Sequence, residues 1–237
     1  MTALLRAEQI RLRTIPAPLI AVAVILTMTG LLVGLAFGLA PADVAEDLAE
    51  AVRVPGVLAA VTMLVLGILG GSSDHQHRTA ESTYLVRPRR VDVFAARQLT
   101  YAVFGGVTGA LTGLVSWLLA GVIGSARGLP AGPTADAVGL ITAPAVAATL
   151  AAVLGVGVGY AARSTVAGIL GLMAWAVVGE NLVGLLVPST YLPVGAVNAT
   201  MGLSDAGQPL HGAIALAAYA AIAAVVAGRL VLPRDIT

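Results

Sequence analysis

Lysine is absent from this chain, and all 13 of its basic residues are arginine. A phosphate-binding loop of the GxxxxGK(S/T) type uses its lysine to reach nucleotide phosphates, so the chain cannot carry one. Schiff-base chemistry on a lysine amine is excluded on the same ground. Any nucleotide that powers this protein must therefore be bound by another polypeptide. Cysteine is absent too, which removes disulfides and thiolate metal sites. Charge is scarce: 11% of the 237 residues are Asp, Glu, Lys or Arg, against about 25% in an ordinary soluble domain.

What fills the chain instead is apolar, at 58% of residues with a mean hydropathy of +0.95. This is the composition of an integral membrane protein. A helix needs about 20 apolar residues to cross the bilayer core, and stretches of that length recur. They run from Ala17 to Ala40, Val54 to Ser73, Leu99 to Ala126, Ala137 to Ala162, Ser164 to Val187 and Ala206 to Gly228. Arg163 alone marks the turn between the fourth and fifth. The fold class predicted is all-α: a polytopic bundle of six transmembrane helices.

The arginines orient the bundle by the positive-inside rule. Arg6, Arg11, Arg13, Arg78, Arg87, Arg89, Arg90, Arg97, Arg163, Arg229 and Arg234 fall on one side, and Arg53 and Arg127 on the other. Both termini are thus expected in the cytoplasm. The charged start precedes a run too long for a signal-peptide core, so it reads as a retained first helix. Residues 1–16, in which Leu4, Leu5, Ile10, Leu12 and Ile15 alternate with Arg6, Glu8, Arg11 and Arg13, suggest a short helix on the inner leaflet.

Two glycine stripes are expected to pack helices closely: Gly30, Gly34 and Gly38 in the first span, and Gly105, Gly109 and Gly113 in the third. Pro144 is expected to kink the fourth span. A short outer helix is expected over 43–53. The outer segment 188–210 is largely apolar but broken by prolines, so it reads as a stretch dipping back toward the membrane.

Glu180 is the one Asp, Glu or Arg inside a span. A charge at that depth faces a cavity or a partner, which leaves a structural hydrogen-bonding role, a place on a substrate route, or proton coupling. His75 and His77 supply too few ligands for a metal site. No HExxH, paired-aspartate or GxSxG pattern is present, so nothing supports an enzyme.

The segment 72–98 is a polar island between two spans. Its core reads Asp74-His75-Gln76-His77-Arg78-Thr79-Ala80-Glu81-Ser82-Thr83-Tyr84-Leu85-Val86-Arg87-Pro88-Arg89-Arg90. Here the chain resembles the membrane subunits of bacterial ABC-type exporters of the type V class, the ABC type-2 permeases. His77, Arg78, Thr79, Leu85, Pro88, Arg89 and Arg90 match the family pattern. Asp74 stands where a glutamate is usual, and His75 and Gln76 depart from its aromatic and arginine. The six-span layout and the segment before the last span are similar too.

The resemblance implies one permease domain over residues 1–237, in the inner membrane, with no catalytic, cofactor or metal site of its own. It implies a cytoplasmic coupling helix between spans two and three, docked on a separate ABC-type ATPase that holds ATP and magnesium. Arg78, Thr79, Glu81, Leu85, Arg87, Pro88, Arg89 and Arg90 would form that contact. From the residues themselves, Thr79 to Arg87 can be helical up to Pro88, and a second helix would start near Val91 with Asp92 at its positive end.

The family also works as dimers around a central cavity, so a second permease chain, identical or related, is expected. Met63, Leu66, Trp175, Glu180 and Asn181 are the residues expected to line the route. Such an apolar cavity suits a hydrophobic or amphipathic cargo leaving the lipid. Nucleic acid is not expected as a partner, because arginines beside spans already follow from orientation. Two other readings remain: a proton-coupled secondary transporter centred on Glu180, and a non-transporting membrane scaffold.

Overall fold

The computed structural model describes residues 2–39, 45–76, 90–129, 134–203 and 208–231. Backbone inside hydrocarbon has no water to bond, so long apolar runs must close their hydrogen bonds internally as helices. Helix α1 spans Thr2–Thr14, α2 Pro16–Leu39, α3 Ala45–Gln76, α4 Arg90–Ala126 and α5 Ala137–Ala162. Helix α6, Thr165–Ala174, continues through a π turn at Trp175–Gly179 into α7, Glu180–Val183. A 3-10 turn at Ser189–Tyr191 leads to α8, Pro193–Thr200, and α9, Pro209–Val226, ends in a π turn at Ala227–Val231.

Among the described residues, six helices are long and apolar enough to cross a membrane, and there is no strand. The chain is a multi-pass all-α membrane protein. The expected segment boundaries need two corrections. Residues 45–53 are not a separate outer helix but the first turns of α3, which runs on through Pro55. The island is also shorter as a connection than 72–98: α3 continues to Gln76, while α4 begins at Arg90, beside the Val91 start expected for a second helix there. Hydropathy marks where the bilayer ends; it does not mark where a helix ends once water can solvate its side chains.

Helix α5 is the axis of the packing, with α3 and α4 laid along it and α9 beside them. The predicted stripe on α4 makes one of these contacts. A Cβ on Gly105 would stand 2.5 Å from the Ala148 carbonyl oxygen, and Gly109 and Gly113 press equally on the carbonyls of Pro144 and Leu140. Leu140 would ordinarily receive the N–H of residue 144, which proline lacks. Helix α5 nonetheless continues unbroken through Pro144.

A second stripe lies between α3 and α5. Gly67 and Gly71 abut the carbonyls of Ala152 and Val156, while Gly155 and Gly159 abut those of Leu64 and Ile68. This reciprocal pair is not among the stripes expected from sequence. The α2 stripe, by contrast, packs loosely: a Cβ on Gly30 would only touch the Leu119 side chain at 4.0 Å, and Gly34 and Gly38 face open space among the described residues.

Three buried hydroxyls bond to their own helix. Thr29, Thr108 and Thr112, each 1% exposed or less, donate to the carbonyls of Ile25, Phe104 and Thr108 at 2.7, 2.9 and 2.9 Å. Bonding back to the i−4 carbonyl makes a polar residue compatible with an apolar core. The α5–α6 turn is equally economical. Arg163 sits in the left-handed region at φ 53°, donating its N–H to the Gly159 carbonyl, and Ser164 caps α6 by accepting from Ala167 N–H.

Candidate functional site

Of the residues expected to meet an ATPase, Arg78, Thr79, Glu81, Leu85, Arg87, Pro88 and Arg89 lie outside the described residues. Arg90 is the first residue of α4, and Asp92 lies in its first turn, where an acid complements the helix dipole. The helices that flank the connection are long. Helix α3 has 32 residues and α4 has 37, which at about 1.5 Å per residue makes roughly 48 and 56 Å, well beyond the hydrocarbon thickness of about 30 Å.

The end of the bundle that carries α1 is closed by a buried polar cluster. Arg97, read from sequence as part of the island, is 2% exposed inside α4. Its Nε–H and Nη2–H both donate to Glu8 Oε1 of α1, at 3.1 and 2.9 Å. Its Nη1–H groups donate to the Gly70 carbonyl of α3 at 3.0 Å and to the Tyr160 hydroxyl of α5 at 3.1 Å. One guanidinium thus joins four helices.

The neighbouring rings tighten this cluster. Phe94 meets the Tyr160 ring edge-on, with centroids 4.9 Å apart. Arg11 of α1 donates to the Ser73 hydroxyl of α3. Sequence reasoning does not single out Glu8. The available signal is that it is the one acid in a short helix with three arginines, but nothing local identifies Arg97 as its partner.

Glu180 lies at the opposite end of the bundle. The π turn before it inserts one extra residue, rotating the succeeding backbone by about 100° relative to a regular helix. The carboxylate is thereby directed at the start of α8, whose cap residue Leu192 offers no side-chain acceptor. Val194 N–H donates to Oε2 at 3.0 Å and Gly195 N–H to Oε1 at 2.6 Å. Glu180 acts as the missing cap of α8, supplied from another helix. Of the roles open to it, the geometry displays the structural one.

The remaining route residues do not gather around it. Met63 is fully buried, and Leu66 is 6% exposed, in a packed cluster with Tyr101, Ala148, Ala152 and Val156. Trp175 is 39% exposed on the outside of the bundle. Asn181 is exposed and returns its amide to the Val177 carbonyl at 2.8 Å. Within one chain, these side chains divide between the packed interior, with Met63 and Leu66, and the exposed flank of span five, with Trp175 and Asn181.

Span five itself is fastened mainly at its ends. Near Thr165, its hydroxyl and that of Ser72 share a hydrogen bond of 2.6 Å, and Gly168 meets the Ile68 side chain. The far end is held by Glu180 on α8. Only 6% of the apolar window between is buried, and Leu170, Met173, Val177 and Leu182 are each more than half exposed.

The segment after it, expected to dip toward the membrane, is α8 and its flanking turns, with Leu192, Ala196, Val197 and Met201 buried against α5 and α9. Arg53 of α3 donates to the Gly202 carbonyl at 2.6 Å, and Arg127 donates to the Phe37 carbonyl in the last turn of α2 at 2.7 Å. Among the described residues, no group of three or more His, Cys, Asp or Glu could hold a metal. Comparison of the chain with family models, with curated proteins and with solved structures gives no match.

Proposed function

We propose that this chain is the membrane-spanning permease subunit of an ATP-driven exporter, moving a hydrophobic or amphipathic substrate outward with power from a separate ABC-type ATPase. One relationship carries the reading. The polar connection over 77–89, where the resemblance to type V exporters lies, joins two helices that run without a break through the membrane. Those helices are clamped together at their α1 end by Arg97, which also holds α1. Force applied at such a connection tilts α3 and α4 as a unit, because a packed, hydrogen-bonded junction transmits displacement instead of absorbing it.

The bare flank of span five supports a second feature of this reading, a partner permease chain, identical or related, packed against it. Both oxygens of Glu180 are occupied by α8 amides, which weighs against the alternative of proton coupling centred there. The test is purification in mild detergent of the wild type and of a chain with Arg89→Glu and Arg90→Glu. The expected result is an ATPase that co-purifies with the wild type and is released by the double reversal. Absence of any companion ATPase from the wild type overturns the exporter reading, and undiminished retention by the variant overturns the docking surface.

A further inference from the structure

A groove of about 670 Å³ opens between α4, α5 and α9 at the α1 end. That volume lies within the range of small-molecule sites, about 300–1,000 Å³. Its walls are apolar, formed by Phe94 and Ala102 of α4, Val153 of α5 and Val225 of α9, with two polar residues among them: Gln98 and Arg229. Arg229 lies in the π turn that ends α9, is exposed, and makes no ion pair among the described residues. Among the described residues, no acidic side chain lines the groove.

Gln98 is the unusual member. Both polar atoms of its amide are shut off from water and have no hydrogen-bond partner. Buried amides in folded proteins almost always have one, and an unmet donor and acceptor on a groove wall call for an explanation.

We propose that this groove is a binding site for one phospholipid of the leaflet at the α1 end, with its phosphate on Arg229, its glycerol-ester carbonyls reached by the Gln98 amide, and its chain along Phe94, Ala102 and Val153. The depths agree with that order. Arg229 and Val91 stand at the mouth, Gln98 lies seven residues further along α4, about 10 Å at 1.5 Å per residue, and Ala102 deeper still. Phosphate, ester and chain succeed one another in the same sequence in a phospholipid. A change of side-chain rotamer at Gln98 would turn its amide from the wall into the groove, where its N–H meets an ester carbonyl. Arg229 then finds its counter-charge in the headgroup. The site stands on these residues alone and is independent of the transport reading.

The test is native mass spectrometry of the full chain in detergent with added palmitoyl-oleoyl phosphatidylglycerol. The wild type is expected to retain a single-lipid adduct. Arg229→Ala should weaken it about five-fold, the worth of one basic residue at an anionic lipid surface. Gln98→Leu should weaken it about three-fold, the worth of one hydrogen bond, with a thermal midpoint equal to or above that of the wild type, since the unmet amide is gone.

Dioleoylglycerol, which lacks the phosphate, should bind the wild type no better than phosphatidylglycerol binds Arg229→Ala. Equal adducts in wild type and both variants would overturn the proposal. So would the same loss in Arg13→Ala, which removes a charge from a separate groove lined by Leu5 and Leu12 of α1 and Val103 and Phe104 of α4. Displacement of the adduct by excess inorganic phosphate would assign the site to a free anion and overturn a lipid. A Val225→Cys chain that oxidises to a linked pair would place a second copy over the groove, again overturning it.

Discussion

Glu8 and Arg97, 89 residues apart in sequence, share two hydrogen bonds of 3.1 and 2.9 Å on a single carboxylate oxygen. Arg97 is nearly sealed from solvent. Removing one partner of a buried pair strands the other charge, at a cost of about 3–5 kcal/mol. Arg97→Ala is therefore expected to lower the thermal midpoint sharply in detergent. The double change Glu8→Leu with Arg97→Met is expected to be milder than either single change, because it strands no charge, although the Gly70 carbonyl and Tyr160 hydroxyl lose a donor. Additive losses in that cycle would show that the pair does not act as a unit.

The glycine stripes make opposite predictions from similar sequence. Gly109→Val drives a side chain into the Pro144 carbonyl and is expected to cost about 1–3 kcal/mol or to misfold. Gly34→Ala meets open space and should stay within about 0.5 kcal/mol of wild type. Fluorescence-detected size exclusion after a heating series separates the two. Equal sensitivity would mean that α2 is packed by something outside the chain.

Glu180→Ala removes the acceptor for two α8 amides, and loss of a helix cap costs about 1 kcal/mol. Hydrogen exchange at Val194 and Gly195 should speed up by about five-fold, with little change in α3 or α4. Glu180→Gln, which keeps an acceptor oxygen, should fall between. Unchanged exchange in the alanine variant would remove Glu180 from the cap.

Ser72→Ala and Thr165→Val each break the hydroxyl pair that ties α3 to the start of α6. Each is expected to cost about 1 kcal/mol, and the double variant should cost little more than either single one. Unfolding midpoints of the four chains decide this.

Much of the architecture is legible in the residues. Twenty apolar positions in a row leave the backbone no option but a helix, so the spans fall close to where hydropathy puts them. The α1 helix and the turn at Arg163 follow from charge at the membrane face. The start of α4 falls beside the Val91 expected for it, but the limits of α3 are not legible, because a helix that leaves the bilayer keeps its hydrogen bonds while its side chains turn polar. For the same reason Arg97 reads in sequence as part of the connection, although it lies in the core.

Pairings are the hidden part. Nothing near Glu8 names Arg97. The α3 and α5 glycines are a motif only once the two helices are laid side by side. The direction of the Glu180 side chain depends on a π turn over Trp175–Gly179 that has no sequence signature. Met63 and Leu66 have the composition of route residues, and burial in a packed cluster gives them another place. The island residues Arg78 to Arg89 keep their meaning from the sequence alone.

Because Arg163 and Ser164 are all that separates α5 from α6, the two spans have no slack at that face. With so short a turn, the two crossings are expected to enter lipid together as a pair. Lengthening that turn with a flexible insert is expected to uncouple the two insertion events. Glycosylation acceptors placed in the Leu129–Asp136 and Pro188–Leu192 segments would then report a mixture of topologies where the native chain gives one.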